Sequence, residues 1–521
     1  MSNTGGELII GIDAGTSVVK SIAFDLSGKQ VAAASVPNRY ETRADGAAVQ
    51  DATSTWRDCA STIASLSDQI EGFADRVVAL SVTGQGDGTW LMDNDGEPVG
   101  EAWLWLDARA AGITDEIRKS AADETRYAIT GTGLAACQMG PQLALMNRET
   151  PELLDRASTA FHCKDWLYYQ LTGERVIDPS EAIWTFGDFK TRTYDVDAFD
   201  ALGLSNRRGL LPEICDGSKT THGLSKAAAS LTGLKEGTPV SIGYVDVVCT
   251  VMGAGIQGGA NPASCTIVGS TGIHAKPNTP DNVALNDERT GYVMLLPIAD
   301  TVMQMQTNMA STINIDWLLG VLQSAMGEFG YDVALPDMID RIEGWLSGSK
   351  PGSLIYHPYI SEAGERGPFV NAAARAGFTG LSSRHNFGDL LRGVVEGLGH
   401  ASRDCYAAMG GAGKEVRVSG GAARSPSLRG IISAAINTPV RTCSREEAGA
   451  TGVAMMAAVA NGHYPDMRTC IDDWVQPYLG DLEQPDPELV GTYDRLFPSY
   501  VGVRHSMEPI WAALSGKGAA G

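Results

Sequence analysis

A mixed-sheet α/β protein of two domains with related design is what the sequence predicts, and three observations carry that prediction. Strand and helix patterns alternate along the chain, with hairpins early in the pattern. A strand, a glycine-centred turn and a second strand open the chain, and the same design returns near residue 263. The chain has 521 residues, whereas one domain typically takes ~100–200. The expected division is residues 1–256 and 257–521.

Taken in order, ELIIGIDAGTSVVKSIAFDLSG reads as strands at 8–12 and 18–24 around a Gly-Thr-Ser turn. A turn at 25–28 leads to a third strand at 30–36, and 52–66 has helical spacing. The apolar run 77–82 is a buried strand ending at Thr83-Gly84, and 89–92 is a strand followed by an Asp-Asn-Asp-Gly hairpin turn. The stretch 151–233 looks more helical, and strands resume at 240–245 and 263–273. Between them, MGAGIQGGANP at 252–262 is the candidate hinge between domains. Later come a long helix over 387–409, a strand at 416–419 running into Gly420-Gly421, and helices over 428–436 and 449–459. The acidic, proline-bearing tail after Pro465 is expected to wrap the surface.

Charge and composition remove several functions. Lys and Arg number 40 against 62 Asp and Glu, a formal net charge of -22, which argues against a nucleic-acid or anionic-membrane binder. Phosphate ligands stay open, because backbone amides can hold them locally. No run of about 18 apolar residues and no signal-type N-terminus is present, so cytoplasm is the expected location. The nine cysteines and eight histidines show no metal-ligand spacing, and the cysteines read as small buried apolar residues in a reducing compartment.

Three glycine turns follow strands: Gly15-Thr16-Ser17, Gly269-Ser270-Thr271-Gly272 and Gly420-Gly421. Glycine admits close backbone approach, and free N–H groups with hydroxyls donate to phosphate, so three such turns point to a nucleotide clamped between domains. The P-loop pattern is absent. GAGIQG at 253–258 fits GxGxxG, but Pro262 soon after disfavours the helix a dinucleotide site needs. Asp13 can support Mg²⁺ or serve as a turn residue. Asp246, set among apolar residues in GYVDVVCT, reads as a helix N-cap pointing a carboxylate into a cleft. In WLWLDAR, alternation sets Trp103, Trp105, Asp107 and Arg109 on one face, either a polyol-binding face or core tryptophans with a surface ion pair. Gln85, Asp87 and Trp90 form a second polar-aromatic cluster.

GIDAGTS, WLDAR, HCKDWLYYQLTGE, YVDVV, GSTG, GFTGLSSRHNFGDLLRGVVEGL and VSGGAARS follow in an order that resembles the FGGY carbohydrate kinases, from about residue 9 to residue 462. The resemblance implies two actin-like, ribonuclease-H-like ATPase domains with the nucleotide cleft between them. It implies ATP-dependent phosphorylation of a terminal hydroxyl on a small polyol or sugar, with ATP and Mg²⁺ as cofactors. By resemblance Asp246 is the general base, and Asp13 supports the metal. Gly15, Thr16, Ser17 and Lys20 form the first phosphate loop, and Thr271 and Gly272 the second. Thr312, Asp316, Gly421 and Ser425 contact the nucleotide. Gly86, Asp87, Trp105 and Gln138, with Cys137 nearby, line the acceptor site, and Gly86 is expected to leave room there. Glycerol kinases carry Arg-Glu and xylulokinases Met-His where this chain has Gly86-Asp87. GQGDGTWL, LWLDARAAG, DPSEA and GYVDVVCT look most like the branch that phosphorylates erythritol. Kinases of ketopentoses or glycerol, and a non-catalytic actin-fold sensor of sugar or ATP, are the competing readings. A homodimer is the candidate assembly.

Overall fold

Two six-stranded sheets that share a five-strand topology, each with its sixth strand on the opposite edge, organise the chain in a computed structural model that describes residues 6–256 and 263–515. The first sheet contains β1 (Leu8–Ala14), β2 (Val18–Asp25), β3 (Gln30–Pro37), β4 (Val77–Gly84), β5 (His222–Gly223) and β6 (Pro239–Ile242), in the order β5-β6-β4-β1-β2-β3. β1, β2 and β3 form an antiparallel meander, and β4 and then β6 add in parallel on the other side of β1. β1, LIIGIDA, is buried along nearly its whole length, as a central strand covered on both faces must be. At the edge, β3 carries mostly exposed or half-exposed residues.

The second sheet contains β7 (Ser264–Val268), β8 (Gly272–Asn278), β9 (Tyr292–Leu295), β10 (Val302–Asn308), β11 (Val416–Ser419) and β12 (Val440–Thr442). Its order is β9-β10-β8-β7-β11-β12. Here too a meander, β7, β8 and β10, is extended by two parallel strands, β11 and β12. The repeated strand, glycine turn and strand of the sequence thus mark the first hairpin of each sheet, and the actin-like expectation holds.

Helices cover the outer faces. α1 (Ala52–Ser65) and α2 (Cys163–Thr172) pack on the first sheet, while α3 (Pro179–Phe186) lies beside Tyr292 of β9. α4 (Asp246–Gly253) follows β6. α5 (Ile313–Glu328), α6 (Phe387–Ala408) and α7 (Pro426–Ile436) pack against the second sheet. α1 starts where the Asp51 carboxylate accepts the Ser54 N–H at 2.6 Å, and Asn386 with Asp389 closes a reciprocal cap on α6.

Between the sheets runs a shared core. α8 (Ala448–Ala460), sequence AGATGVAMMAAVA, is apolar all round and buried on almost every side. It crosses α4 and touches β1 and β4, so a late segment of the chain covers the first sheet. A side chain at Gly452 would collide with the Cys249 carbonyl, so the crossing requires glycine there.

Two expectations change. Met252 and Gly253, taken as the start of the hinge, form the buried end of α4, and residues 257–262 of that stretch lie outside the described residues. The tail is a packed layer: α9 (Met467–Val475) buries Ile471 and Trp474 in the shared core, and α10 (Pro487–Leu514) seats Tyr493, Tyr500 and Trp511. All nine cysteines are buried and unpaired, as expected. Among the described residues no helix is long and apolar enough to cross a membrane.

Candidate active site

The parallel strands β1, β4 and β6 end at one edge of the first sheet, and each delivers a carboxylate there. Asp13 lies opposite Thr83 in the ladder, Asp87 follows β4, and Asp246 opens α4 just after β6. Ligands of open α/β sheets bind at such carboxyl ends of strands. Asp246 is the first residue of α4 and Val245 its cap, so the expected N-cap is displaced by one residue, and the Asp246 carboxylate feels the charges of Asp13 and Glu181.

Burial dominates the electrostatics, and neighbouring like charges add to it. Burial first, then Asp13 and Glu181, pushes the Asp246 carboxyl well above the usual carboxylate range, against a hydrogen bond from the Val247 amide. Burial raises Asp13 to about 6, with Lys20 pulling it down and Glu447 pushing it up. Lys20 pairs with Glu447 of the other half at 3.0 Å. A side chain at Gly449 would run into the Asp13 carboxylate, so the backbone of α8 forms a close cradle beside it. Hard carboxylate oxygens in a cleft with surplus negative charge fit Mg²⁺.

Asp13, Lys20 and Gly421 line a cavity of about 850 Å³. It continues past Gly421 and Arg424 into a second cavity of about 700 Å³. That one collects Thr312, Asp316, Gly421 and Ser425, four positions the sequence singled out, against apolar walls from Ile315, Ile342, Leu346 and Leu428. Ser425 caps α7, accepting the Leu428 N–H at 3.1 Å and donating to Glu343 at 2.5 Å. The Thr312 hydroxyl donates to the Gly269 carbonyl at 2.9 Å, tying α5 to the β7–β8 turn. In that turn Thr271 is exposed, and Gly272 lies buried in the ladder opposite Asn308.

The first glycine turn is tied to Gln85 and Trp105. Thr16 donates to Gln85 at 3.1 Å and accepts from the Trp105 indole at 2.7 Å. Gln85 continues to Gln50 at 2.8 Å, and the Asn38 amide donates to the Gly15 carbonyl at 2.8 Å. Ser17 is exposed.

Asp87 is held from several sides in a left-handed conformation, φ 56°. Its amide donates to Glu181 at 2.9 Å, and its Oδ2 accepts from Cys137 at 3.3 Å and from Tyr292 at 3.2 Å. Its Oδ1 is buried without a partner. A buried carboxylate oxygen left unpaired is costly and suits a ligand hydroxyl. Burial raises the Asp87 carboxyl, with the Cys137 thiol, His162, Arg366 and Tyr292 lowering it.

Several sequence-based placements need correction. Gly86 does not open the pocket: a Cβ there would lie 2.5 Å from Val245 Cγ2 and 3.2 Å from Trp184, so packing demands the glycine. Gln138 is fully buried, and its amide donates to the Gly133 carbonyl and accepts the Ala135 N–H. The WLWLDAR stretch is a strand only at Ala102–Trp103 and then turns, so its four residues do not share a face. Asp107 is buried, accepting from Ala48 and Arg109, and Arg109 stacks 3.5 Å from the Trp103 ring centroid; only Trp105 reaches the site. Trp90 belongs to the core. The sequence reading missed Glu181, Trp184 and Tyr292. Glu181 had a signal in DPSEA, but Tyr292 reaches Asp87 across 205 residues without one.

Comparison with known proteins agrees with this layout. The N-terminal domain of the FGGY family of carbohydrate kinases matches residues 8–253, and its C-terminal domain matches residues 269–461. The chain is 55% identical over 513 residues to an erythritol kinase of Brucella abortus (strain 2308), covering 98% of this chain and 99% of that one. It is similar in fold to a xylulose kinase from Rhodospirillum rubrum, with TM-score 0.86 at 24% identity over 97% of this chain and 100% of the other. It is also similar to a Plasmodium falciparum glycerol kinase solved with ADP, with TM-score 0.79 at 15% identity over 96% and 98%. Two sheets that share a five-strand topology, carboxylates gathered where parallel strands end, and both family domains matched in order leave one conclusion: the chain belongs to the FGGY family of carbohydrate kinases.

Proposed function

We propose that the protein transfers the γ-phosphoryl group of ATP to a terminal hydroxyl of erythritol, giving erythritol 4-phosphate. The observation that carries the acceptor is the 55% identity, over nearly the whole length of both chains, to an erythritol kinase. The convergence of Asp13, Asp87 and Asp246 at one strand edge supports the chemistry.

In this reading the purine and ribose occupy the 700 Å³ cavity against Thr312, Asp316, Gly421 and Ser425. The phosphates extend past Gly421 toward Lys20 and the turns at Gly15, Thr16, Ser17 and at Thr271, Gly272. Asp13 would hold Mg²⁺, which would supply positive charge against the phosphates. Asp87 Oδ1 accepts a hydrogen bond from an acceptor hydroxyl, and Trp105 walls the carbon chain. Asp246 takes the proton of the terminal hydroxyl as its oxygen attacks the γ-phosphorus and the bond to ADP breaks. Burial first, then Asp13 and Glu181, holds the Asp246 carboxyl high, and cationic charge arriving with the nucleotide would lower it, leaving the carboxylate free to take the proton.

The test is ADP release measured with glycerol, erythritol, other tetritols, pentitols and ketopentoses. Erythritol should give the highest kcat/KM; a higher value for glycerol or xylulose overturns the acceptor assignment. Asp246→Asn should lower kcat by ~10²–10⁴-fold while ATP still binds. Near wild-type turnover in that variant removes Asp246 as the base.

A further inference from the structure

A cluster of five ionisable side chains lies behind the acceptor site, sealed from solvent and unused by the chemistry above. Lys164 Nζ contacts Asp165 Oδ1 at 2.8 Å, Asp178 Oδ2 at 2.7 Å and Glu181 Oε2 at 2.5 Å, with no exposed side-chain surface on any of the four. His162 Nδ1 lies 3.2 Å from Asp165 Oδ2 and 3.7 Å from Glu181 Oε2. The histidine and the two nearby acids have metal-ligand spacing, but the Lys164 ammonium already binds both acids.

Burying such a cluster is not an efficient way to stabilise a fold, because apolar packing of equal volume does as well or better. What the cluster offers is fixed geometry, and it reaches the active site along two separate paths. Along the first, the other oxygen of Glu181, Oε1, accepts the amide of Asp87 at 2.9 Å. That bond holds Asp87 in its left-handed conformation, which a non-glycine residue adopts only when its surroundings enforce it. Along the second, Asp178 Oδ1 accepts the Ser180 amide at 2.8 Å and the Ser180 hydroxyl. The Ser180 oxygen in turn accepts the Val245 amide at 3.1 Å, one residue before Asp246. Both paths start from the same ammonium group.

We propose that Lys164 is a positioning residue with two arms, setting the acceptor carboxylate Asp87 through Glu181 and the base Asp246 through Asp178 and Ser180. The two loops leave neighbouring parallel strands, β4 and β6, whose ends are tied by the Gly243 amide on the Val82 carbonyl and the Thr83 hydroxyl on the Tyr244 carbonyl, and these bonds stop short of the distance between Asp87 and Asp246. A common buried anchor fixes it, so that an acceptor held at Asp87 presents its terminal hydroxyl to Asp246. This inference rests on the roles given to Asp87 and Asp246 in the proposed function.

The arms predict separable kinetics in the full-length protein with Mg²⁺ and ATP. Glu181→Ala should raise the KM for erythritol by ~10-fold or more, with a smaller change in kcat. Ser180→Ala should lower kcat by ~10-fold, with the erythritol KM within about twofold of wild type. The KM for ATP should stay within about twofold in both. Lys164→Met should combine the two effects. Should it fail to fold, as circular dichroism and ATP binding will show, the two milder variants decide alone. A purely structural cluster would lower the active fraction and the melting temperature without dividing KM from kcat. Equal effects of the two milder variants on both constants, or no effect of either, would overturn the proposal. Wild-type protein inactive on erythritol would instead count against the functional reading. An active wild type, an inactive Asp246→Asn and no split between the arms would remove the positioning role alone.

Discussion

The Tyr292 hydroxyl donates to Asp87 Oδ2 at 3.2 Å, so a residue of the second sheet completes the surroundings of a carboxylate carried by the first. The same ring packs edge-on against Trp184 of α3, with centroids 5.4 Å apart. The surroundings of Asp87 are therefore built from both halves. Tyr292→Phe keeps the ring and removes one hydrogen bond to a buried carboxylate, worth ~1–2 kcal/mol. The erythritol KM should rise ~5–30-fold, with the KM for ATP unchanged. Steady-state kinetics with each substrate varied in turn will show this. Equal weakening of both substrates would mean that Tyr292 supports the fold and not the acceptor.

Asp13 gives a pH dependence with a definite sign. Its folded pKa, about 6, exceeds its ordinary value of 3.8 because burial disfavours the charged form. Between these values the folded state holds a proton that the unfolded state has released, so rising pH weakens the nucleotide-free fold. The loss is on the order of 2–3 kcal/mol and is complete just above pH 6. Asp13→Asn removes it. Without ligands, the variant should melt above wild type at pH 7–8, and the difference should shrink toward pH 4. With Mg²⁺ and ATP the order should reverse, since only the wild type offers the carboxylate to the cation. Differential scanning calorimetry across pH, with and without Mg·ATP, reads both halves of this prediction.

How much of this was legible in the sequence depends on how local each feature is. The strand, glycine turn and strand at Gly15 and at Gly269 are contiguous, and they announced the two sheets. The expectation that Thr312, Asp316, Gly421 and Ser425 contact nucleotide came from the resemblance, and one cavity gathers the four. α10 was hidden because Pro498 and Pro509 sit inside it, against the local rule that proline breaks helices. Burial of Tyr493, Tyr500 and Trp511 outweighs the lost backbone bonds, and that contribution is tertiary. WLWLDAR failed for the same kind of reason: alternation over seven residues is strand-like, but Asp107 instead anchors a turn to the Ala48 amide at 2.9 Å. Gly86 was read as space because a missing side chain looks like space in a sequence, whereas Val245 and Trp184 fill it.

Gly86→Ala tests that last correction. The added methyl meets Val245 Cγ2 at 2.5 Å, and Val245 immediately precedes Asp246. Overpacking of this kind costs ~1–3 kcal/mol. The strain should fall on the base, so kcat should drop ~10-fold or more at saturating erythritol, with a lowered melting temperature. A variant that merely narrows acceptor choice, with kcat intact on erythritol, would restore the idea that Gly86 shapes the pocket.

Ser425 offers the complementary test on the nucleotide side. Its hydroxyl caps α7 through the Leu428 amide and donates to Glu343, whose other oxygen accepts from Ser427. Burial raises the Glu343 carboxyl, but the two serine hydroxyls and the Ser427 amide outweigh it and hold the group below its usual value. The carboxylate thus stays charged and pins the first turn of α7 against the wall of the 700 Å³ cavity. Ser425→Ala removes the cap and one of these anchors, at a cost of ~1 kcal/mol in stability. The cavity wall then loses its fixed position, and ATP should bind less tightly by ~3–10-fold. Neither Asp87 nor Asp246 touches this wall, so the erythritol KM and kcat at saturating ATP should stay within about twofold of wild type. Isothermal titration with ATP, paired with kinetics at saturating nucleotide, separates the two sides. A matching rise in the erythritol KM would show that the cavity is coupled to the acceptor site and is not an independent nucleotide pocket.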